Sequence, residues 1–475
     1  MNSLLELDRK YIWHPFTQMS DWMASDPIII QKGRGAYLYD INGQKYLDAN
    51  SSIWTNLHGH AHPVINRAIR QQLSKISHSS ALGLANEPAS ILAGELVPLA
   101  NAQSRFNAQP ELARLFYSDD GSTAMEVALK LAYEYTRRLG KAKKPRFLGL
   151  NGAYHGDTIG AVSLGHIDLF HKNYSGLLFE SDSVMAPYCY RCPFNQAKPE
   201  RADARTYRKC KWECVGQVEK AFATAKKSGN SYAGVVVEPL MQGAAGMVPQ
   251  PTGWLKDVSA IARQYDALLI ADEVMTGFGR VALRDAAGKP SYFASHAEGI
   301  IPDLMAVAKG MTGGYLPMAA TFATQPIFDL FLGRYDEFKT FFHGHSFTAN
   351  QLGSAAACAS IDILKSPQTF HRRARLEQAM KEGLEELWLL PQVGDIRQSG
   401  CVAGIELVAD WRQRTSIPLA AKAGIRVCTA LAEAGVLTRP IGNVIVLMPP
   451  FCTKPDEIKK AIMLIAKAIR QVFSS

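Results

Sequence analysis

Ala267-Leu268-Leu269-Ile270-Ala271 is an unbroken apolar run, and Asp272-Glu273 follows it at once. Such a run, without polar alternation, reads as a strand buried on both faces, as in a parallel sheet. Similar runs lie at 113–117, 146–150, 233–237 and 304–308. A helical pattern follows the first of them over 122–138, with Glu126 and Lys130 one turn apart. Strands alternating with helices imply crossover units. The expected fold class is α/β, a mostly parallel central sheet with helices on both faces.

Outward from this core the pattern changes twice. The first 60 residues are rich in aromatics, and Asn42-Gly43 between 36–40 and 45–48 predicts a hairpin. The segment suits a surface meander or the lining of a pocket. After about residue 350, helical stretches at 351–364, 370–390 and 418–434 surround strands at 401–407 and 443–448. The expected division is an N-terminal segment over 1–60, a large domain over 61–345 and a smaller α+β C-terminal domain over 346–475.

Composition narrows the class. Of 475 residues, 47% are hydrophobic and 20% charged, which excludes a disordered, collagen-like or disulfide-scaffold chain. The formal net charge of +9 suits anionic ligands but says nothing of fold. Acids come early at Glu6 and Asp8 with no apolar core behind them, and no run approaches the ~20 residues that span a bilayer. Eight cysteines then read as reduced thiols, and the expected location is the cytoplasm, with no membrane partner.

Ligands of open α/β sheets sit outside the carboxyl ends of the strands. There the sequence sets Gly121-Ser122-Thr123 at a helix start, Glu238, Asp272 and Lys309. Taken singly, each has an ordinary reading: an N-cap, a structural salt bridge, a solvated lysine. Together they match the needs of pyridoxal phosphate: a lysine for the aldehyde, an acid for the ring nitrogen and a helix terminus for the phosphate. No GxGxxG opens a helix after a strand and no P-loop motif occurs, so dinucleotide and nucleotide readings lack their fingerprints.

The stretch from Leu268 to Arg280, with Pro302-Asp303-Leu304 and Ala308-Lys309-Gly310, resembles the signature of class III (ω-amino) aminotransferases. Tyr154-His155-Gly156, Glu238-Pro239 and 343–350 extend the likeness over essentially the whole chain. Within that class, Trp13–Met19, Ser51-Ser52-Ile53-Trp54, His58-Gly59-His60 and Thr438-Arg439-Pro440 look like the 7,8-diaminononanoate synthases of biotin synthesis. The resemblance implies a fold-type-I homodimer with shared active sites, acting on 8-amino-7-oxononanoate and an amino donor. By the same likeness Lys309 would hold pyridoxal phosphate and move the proton, Asp272 would keep the ring nitrogen protonated and Tyr154 would stack on the ring. Gly121 and Ser122 would bind the phosphate, joined by Ser346 from the other subunit. Arg439 would hold the keto substrate's carboxylate, while Glu238, Asp157 and Arg280 would shape the substrate side. Phe16 and Ile53-Trp54 stand where relatives using S-adenosylmethionine usually carry tyrosine and a Trp-Trp pair. The combination is similar to relatives that use L-lysine, so both donors stay open. A same-class alternative is an ω-amino acid or diamine:pyruvate aminotransferase.

A second pattern is Cys189-x2-Cys192 followed after 17 residues by Cys210-x3-Cys214, which approximates a four-cysteine zinc module. Arg191, Lys198, Arg201, Arg205, Arg208, Lys209 and Lys211 crowd the same stretch, so a nucleic-acid-binding module is the rival reading. Aromatics at stacking intervals are missing. The expectation is therefore a solvated insertion with reduced thiols, no metal and no nucleic acid.

Overall fold

The run at 267–271 is the middle of a seven-stranded sheet in the computed structural model, which describes residues 3–102 and 110–474. In chain order the strands are β1 (Leu112–Ser118), β2 (Arg146–Leu150), β3 (Asp182–Val184), β4 (Tyr232–Val237), β5 (Leu268–Asp272), β6 (Leu304–Val307) and β7 (Ala319–Thr324). Their order across the sheet is β1-β7-β6-β5-β4-β2-β3. All neighbours run parallel except β7, which is antiparallel to both β6 and β1.

Successive residues of a strand point to opposite faces, and here both faces are covered. Val236 and Ile270 pack under helix α1 (Gly121–Arg138). Val235, Val237 and Leu269 pack under α2 (Glu213–Lys227) and α3 (Trp254–Gln264). That two-sided burial is why β4 and β5 read as continuous apolar runs. β3, three residues with a polar start, and β7, built on Ala and Thr, gave no such signal.

The C-terminal part holds an antiparallel sheet of Val393–Ser399, Val402–Asp410, Val444–Leu447 and Pro440–Ile441. Helices Gln351–Lys365, Pro367–Glu385 and Pro455–Ser474 accompany it. The first of these strands is polar in sequence because it buries a charged cluster. Arg397 Nη1 donates to Asp395 at 3.0 Å and to Glu406 at 2.6 Å.

The N-terminal hairpin forms with Tyr37 opposite Leu47. Its second strand pairs in parallel with Val436–Leu437, so both ends of the chain share one sheet. The bonding continues past the strand. Met448 N donates to Ala49 O at 2.8 Å, and Phe451 N donates to Leu57 O at 2.8 Å. Thus residues 47–57 reach the end of the central sheet already fixed to the C-terminal part. Among the described residues no helix is long and apolar enough to cross a membrane.

Candidate active site

The carboxyl ends of β1, β4, β5 and β6 open onto a cavity of about 460 Å³. Its wall includes Trp54, Gly121, Ser122, Tyr154, His155, Glu238, Asp272 and Lys309. The volume lies in the range of small-molecule and cofactor sites.

Asp272 is the last residue of β5 and is 4% exposed. Its Oδ1 accepts Val274 N at 3.0 Å, and its Oδ2 accepts the Nδ1 proton of His155 at 2.7 Å. Burial pushes His155 down, but the hydrogen bond and charge of Asp272, with Glu238 behind, outweigh it and hold the imidazole above its ordinary value. Glu238 directly follows the neighbouring strand and accepts Gly243 N at 2.8 Å. Burial raises its carboxyl to about 7, Asp272 adding to this and His155 opposing it.

Lys309 follows β6 at the start of the short turn Lys309–Thr312, with φ of +43°. A β-carbon makes that left-handed backbone costly, and such strain persists where the surroundings enforce it. The ammonium lies 5.4 Å from the Trp54 ring centroid. Burial lowers its pKa, against the opposing charges of Asp272, Glu238 and Asp120.

The opposite wall is the start of α1. Asp120 caps the helix by accepting Thr123 N at 2.9 Å, which leaves the first amides, at Gly121 and Ser122, without intrahelical acceptors. The backbone at Gly156 crosses this end with φ of +121°, and a β-carbon there would lie 2.0 Å from Ser122 Oγ. Only glycine permits that approach. Tyr154 stands beside it, its hydroxyl donating to Asp157 Oδ2 at 2.7 Å, while Asp157 N donates to Ser122 Oγ at 3.1 Å.

Trp54 closes the remaining side from an unusual turn. Ser51, Ser52, Ile53 and Trp54 all have φ between +47° and +69°. Asp48 holds this turn by accepting Ser52 N at 2.9 Å and Ser52 Oγ at 2.8 Å, and Trp54 Nε1 donates to Asn50 Oδ1 at 2.9 Å.

Other expected site residues stand apart from the wall. Phe16 meets the Tyr154 ring edge-on at 6.5 Å, and Ile53 is half-exposed beside Trp54. Ser346 and Arg439 are exposed. Arg280, expected on the substrate side, is 1% exposed and points elsewhere. It donates to Pro449 O at 2.9 Å and Asn56 O at 2.7 Å, so its guanidinium ties the N- and C-terminal segments together. His155 is the residue sequence reasoning passed over as a site member. Its one signal was its place between Tyr154 and Gly156 in a motif already noted.

The cavity fits pyridoxal phosphate. A lysine amine, a buried carboxylate and a helix start surround it, and each would suit a different part of that molecule. Behind the carboxylate, His155 Nε2 is buried without a hydrogen-bond partner among the described residues.

Known proteins agree with this chemistry. A family model described as Aminotransferase class-III matches residues 19–469. An adenosylmethionine-8-amino-7-oxononanoate aminotransferase from Geobacter sulfurreducens is 43% identical over 470 residues, 99% of this chain and 98% of that one. An enzyme of the same name from Anoxybacillus flavithermus is 43% identical over 469 residues, covering 99% and 97%. The crystal structure of such an aminotransferase from Methanocaldococcus jannaschii superposes with a TM-score of 0.88 at 37% identity, covering 98% of each chain. An ω-transaminase from Pseudomonas jessenii, solved in complex with PMP, gives 0.87 at 25% identity over 100% of this chain and 99% of its own. With the match running nearly end to end, the chain belongs to aminotransferase class III, a family of pyridoxal-phosphate enzymes.

Proposed function

We propose that the protein transfers an amino group to the C7 carbonyl of 8-amino-7-oxononanoate, giving 7,8-diaminononanoate for biotin synthesis. The convergence of Lys309, Asp272 and the start of α1 on one cavity carries the reading, and relatives of that name along the whole chain support it. Bound pyridoxal phosphate supplies an aldehyde that carries nitrogen and a ring that draws electrons from the reacting carbon. Asp272, backed by His155, holds the ring-nitrogen proton. Gly121 and Ser122 would hold the phosphate, and Tyr154, its hydroxyl anchored on Asp157, would stack on the ring.

Lys309 Nζ takes the proton from the donor's reacting carbon and, in the second half, delivers one to C7. Burial lowers its proton affinity, which suits an amine that must be neutral to accept. Trp54 forms part of the cavity wall beside Lys309. Arg439 takes the substrate carboxylate, for which a guanidinium fork is suited. Glu238 and Asp157 shape the substrate side. Ser346, exposed on this chain, completes the phosphate site of a second copy in a homodimer. The first 60 residues work with 346–475 as one small domain beside the large domain over 61–345, as the shared sheet suggests. Eight free thiols suit the cytoplasm.

S-adenosylmethionine is the donor that the relatives' names carry. L-lysine is the second reading, favoured by Phe16, which brings no hydroxyl to Tyr154, and by Ile53 before Trp54. The test mixes pyridoxal-phosphate-loaded protein separately with each donor and follows the cofactor's absorbance. Loss of the band with one donor, and its return on adding 8-amino-7-oxononanoate, names the donor and supports the assignment. No change with either compound sinks the biotin-pathway reading.

A further inference from the structure

The two cysteine pairs, 17 residues apart in sequence, face one another in space. Cys189, Cys192, Cys210 and Cys214 line a single small cavity of about 10 Å³, and all four are free thiols. Cys189 and Cys214 are buried, and the other two are half-buried. The segment carrying them has little regular structure, only the turn Cys189–Arg191 and the short helix Ala204–Tyr207 before α2 begins at Glu213. Loops of that length inside a folded domain are uncommon without a function or a staple.

Local bonds already hold the pairs in register. Asn195 Nδ2 donates to Cys189 O at 2.9 Å, and its Oδ1 accepts Lys209 N at 2.9 Å. Gln196 N donates to Lys209 O at 3.0 Å. One side chain thus bridges the first pair to the residue before Cys210.

The charges around the cluster matter too. Arg208 Nη1 lies 3.3 Å from Cys210 Sγ and lines the same cavity. Other basic residues of the stretch are engaged inward. Arg191 binds Glu406 at 2.5 Å, Arg205 Nη2 donates to Gln398 O at 2.7 Å, and Arg201 donates to the carbonyls of Val393 and Leu390 at 2.5 and 2.6 Å. These three arginines fasten the segment to the protein rather than offering a surface for phosphates.

We propose that Cys189, Cys192, Cys210 and Cys214 form a structural zinc site that closes residues 189–210 on themselves and onto the first turn of α2. Zinc favours four thiolates in a closed tetrahedron, and C-x2-C with C-x3-C is within the spacing such sites use. Among the described residues no three candidate ligands stand as a preformed cage, so the thiols close inward on the ion. Binding releases four protons to solvent and changes no oxidation state. The resulting site carries a net charge of −2, which Arg208 beside it and Lys209 and Lys211 around Cys210 offset.

The staple has a mechanical path toward the active site. Tyr188, next to Cys189, hydrogen-bonds Glu406 and accepts from Arg397 Nη1 at 2.6 Å. Arg397 also donates to Gly246 O at 2.6 Å and Met247 O at 2.9 Å, two residues beyond Ala244 on the catalytic cavity's wall.

Elemental analysis of the cofactor-loaded protein, reduced, incubated with zinc chloride and desalted, is expected to give about one zinc per chain. Cys192→Ser and Cys210→Ser should each lose the metal, while Cys358→Ser, outside the cluster, keeps it. Cobalt(II) added to wild-type protein should give the intense thiolate-to-metal bands of a tetrahedral site, a readout independent of any variant's folding. Absence of both zinc and cobalt bands overturns the site, and so does zinc that survives both cluster substitutions. Either failure leaves the aminotransferase reading untouched, because that is read from the pyridoxal band.

Discussion

His155 and Asp272 form a hydrogen-bonded pair, Nδ1 to Oδ2 at 2.7 Å, with both side chains sealed from solvent at the end of β5. Neither is tolerable there alone, since an unpaired buried charge is expensive. The pair therefore positions a negative carboxylate at the floor of the cavity. Replacing one partner leaves the other uncompensated, at a cost of about 3–5 kcal/mol. His155→Leu is expected to lower the melting temperature markedly and to weaken turnover, with His155→Asn recovering part of both. Thermal unfolding and steady-state kinetics of the two variants check this. Unchanged stability in His155→Leu would remove the pair from the account.

Lys309 is the only lysine on the cavity wall among the described residues. Lys309→Ala should leave the protein folded but reduce turnover by about 10³-fold or more. The absorbance of added pyridoxal phosphate should then stay that of the free aldehyde. Turnover near wild type would sink the assignment.

Glu238 gives a pH prediction with a definite sign. Burial raises its carboxyl from 4.5 to about 7, so between those values the folded protein binds more protons than the unfolded chain. Stability from this group is present below about 4.5, falls as pH rises, and levels off above about 7. The span corresponds to about 3 kcal/mol. Glu238→Gln, which cannot ionise, should show a flatter profile across the same window in denaturant melts. Parallel profiles for variant and wild type would contradict it.

Gly156 tests the phosphate end. An added methyl would overlap Ser122 Oγ, in a backbone conformation unfavourable to any side chain. Gly156→Ala should cost about 1–3 kcal/mol and raise the dissociation constant for pyridoxal phosphate more than it alters the folded core. Equilibrium dialysis against the cofactor measures the effect.

Arg439 separates the two substrates. With Arg439→Ala the KM for 8-amino-7-oxononanoate should rise about 10- to 100-fold, the worth of a charged hydrogen bond. The KM for the amino donor should change little. Equal effects on both would argue against a dedicated carboxylate clamp.

Much of this arrangement is legible in the amino-acid sequence alone. The strands at 146–150, 233–237, 267–271 and 304–308 were visible because both their faces are buried, which removes the polar alternation that blurs other strands. Their carboxyl ends then marked Glu238, Asp272 and Lys309. What stayed hidden depended on contacts between distant residues. Val393–Ser399 gives no strand signal because Asp395 and Arg397 are polar, yet they satisfy each other in the core. Arg280 looked like a substrate residue, and only the positions of Asn56 and Pro449 show its guanidinium spent on backbone carbonyls. The facing of Cys189 and Cys192 toward Cys210 and Cys214 was likewise beyond reach of spacing alone.

The sheet in which Leu47 pairs with Val436 has a consequence for the order of assembly. Its two strands are almost a whole chain apart, so the second leaves the ribosome long after the first. Closing so long a loop is slow more than it is unfavourable. Until then, the left-handed turn at 51–54 and the indole of Trp54 lack Met448 and its neighbours behind them. The central sheet can collapse earlier, but the Trp54 wall beside Lys309 is finished last, and a newly made chain acquires its catalytic chamber only as its final strands dock.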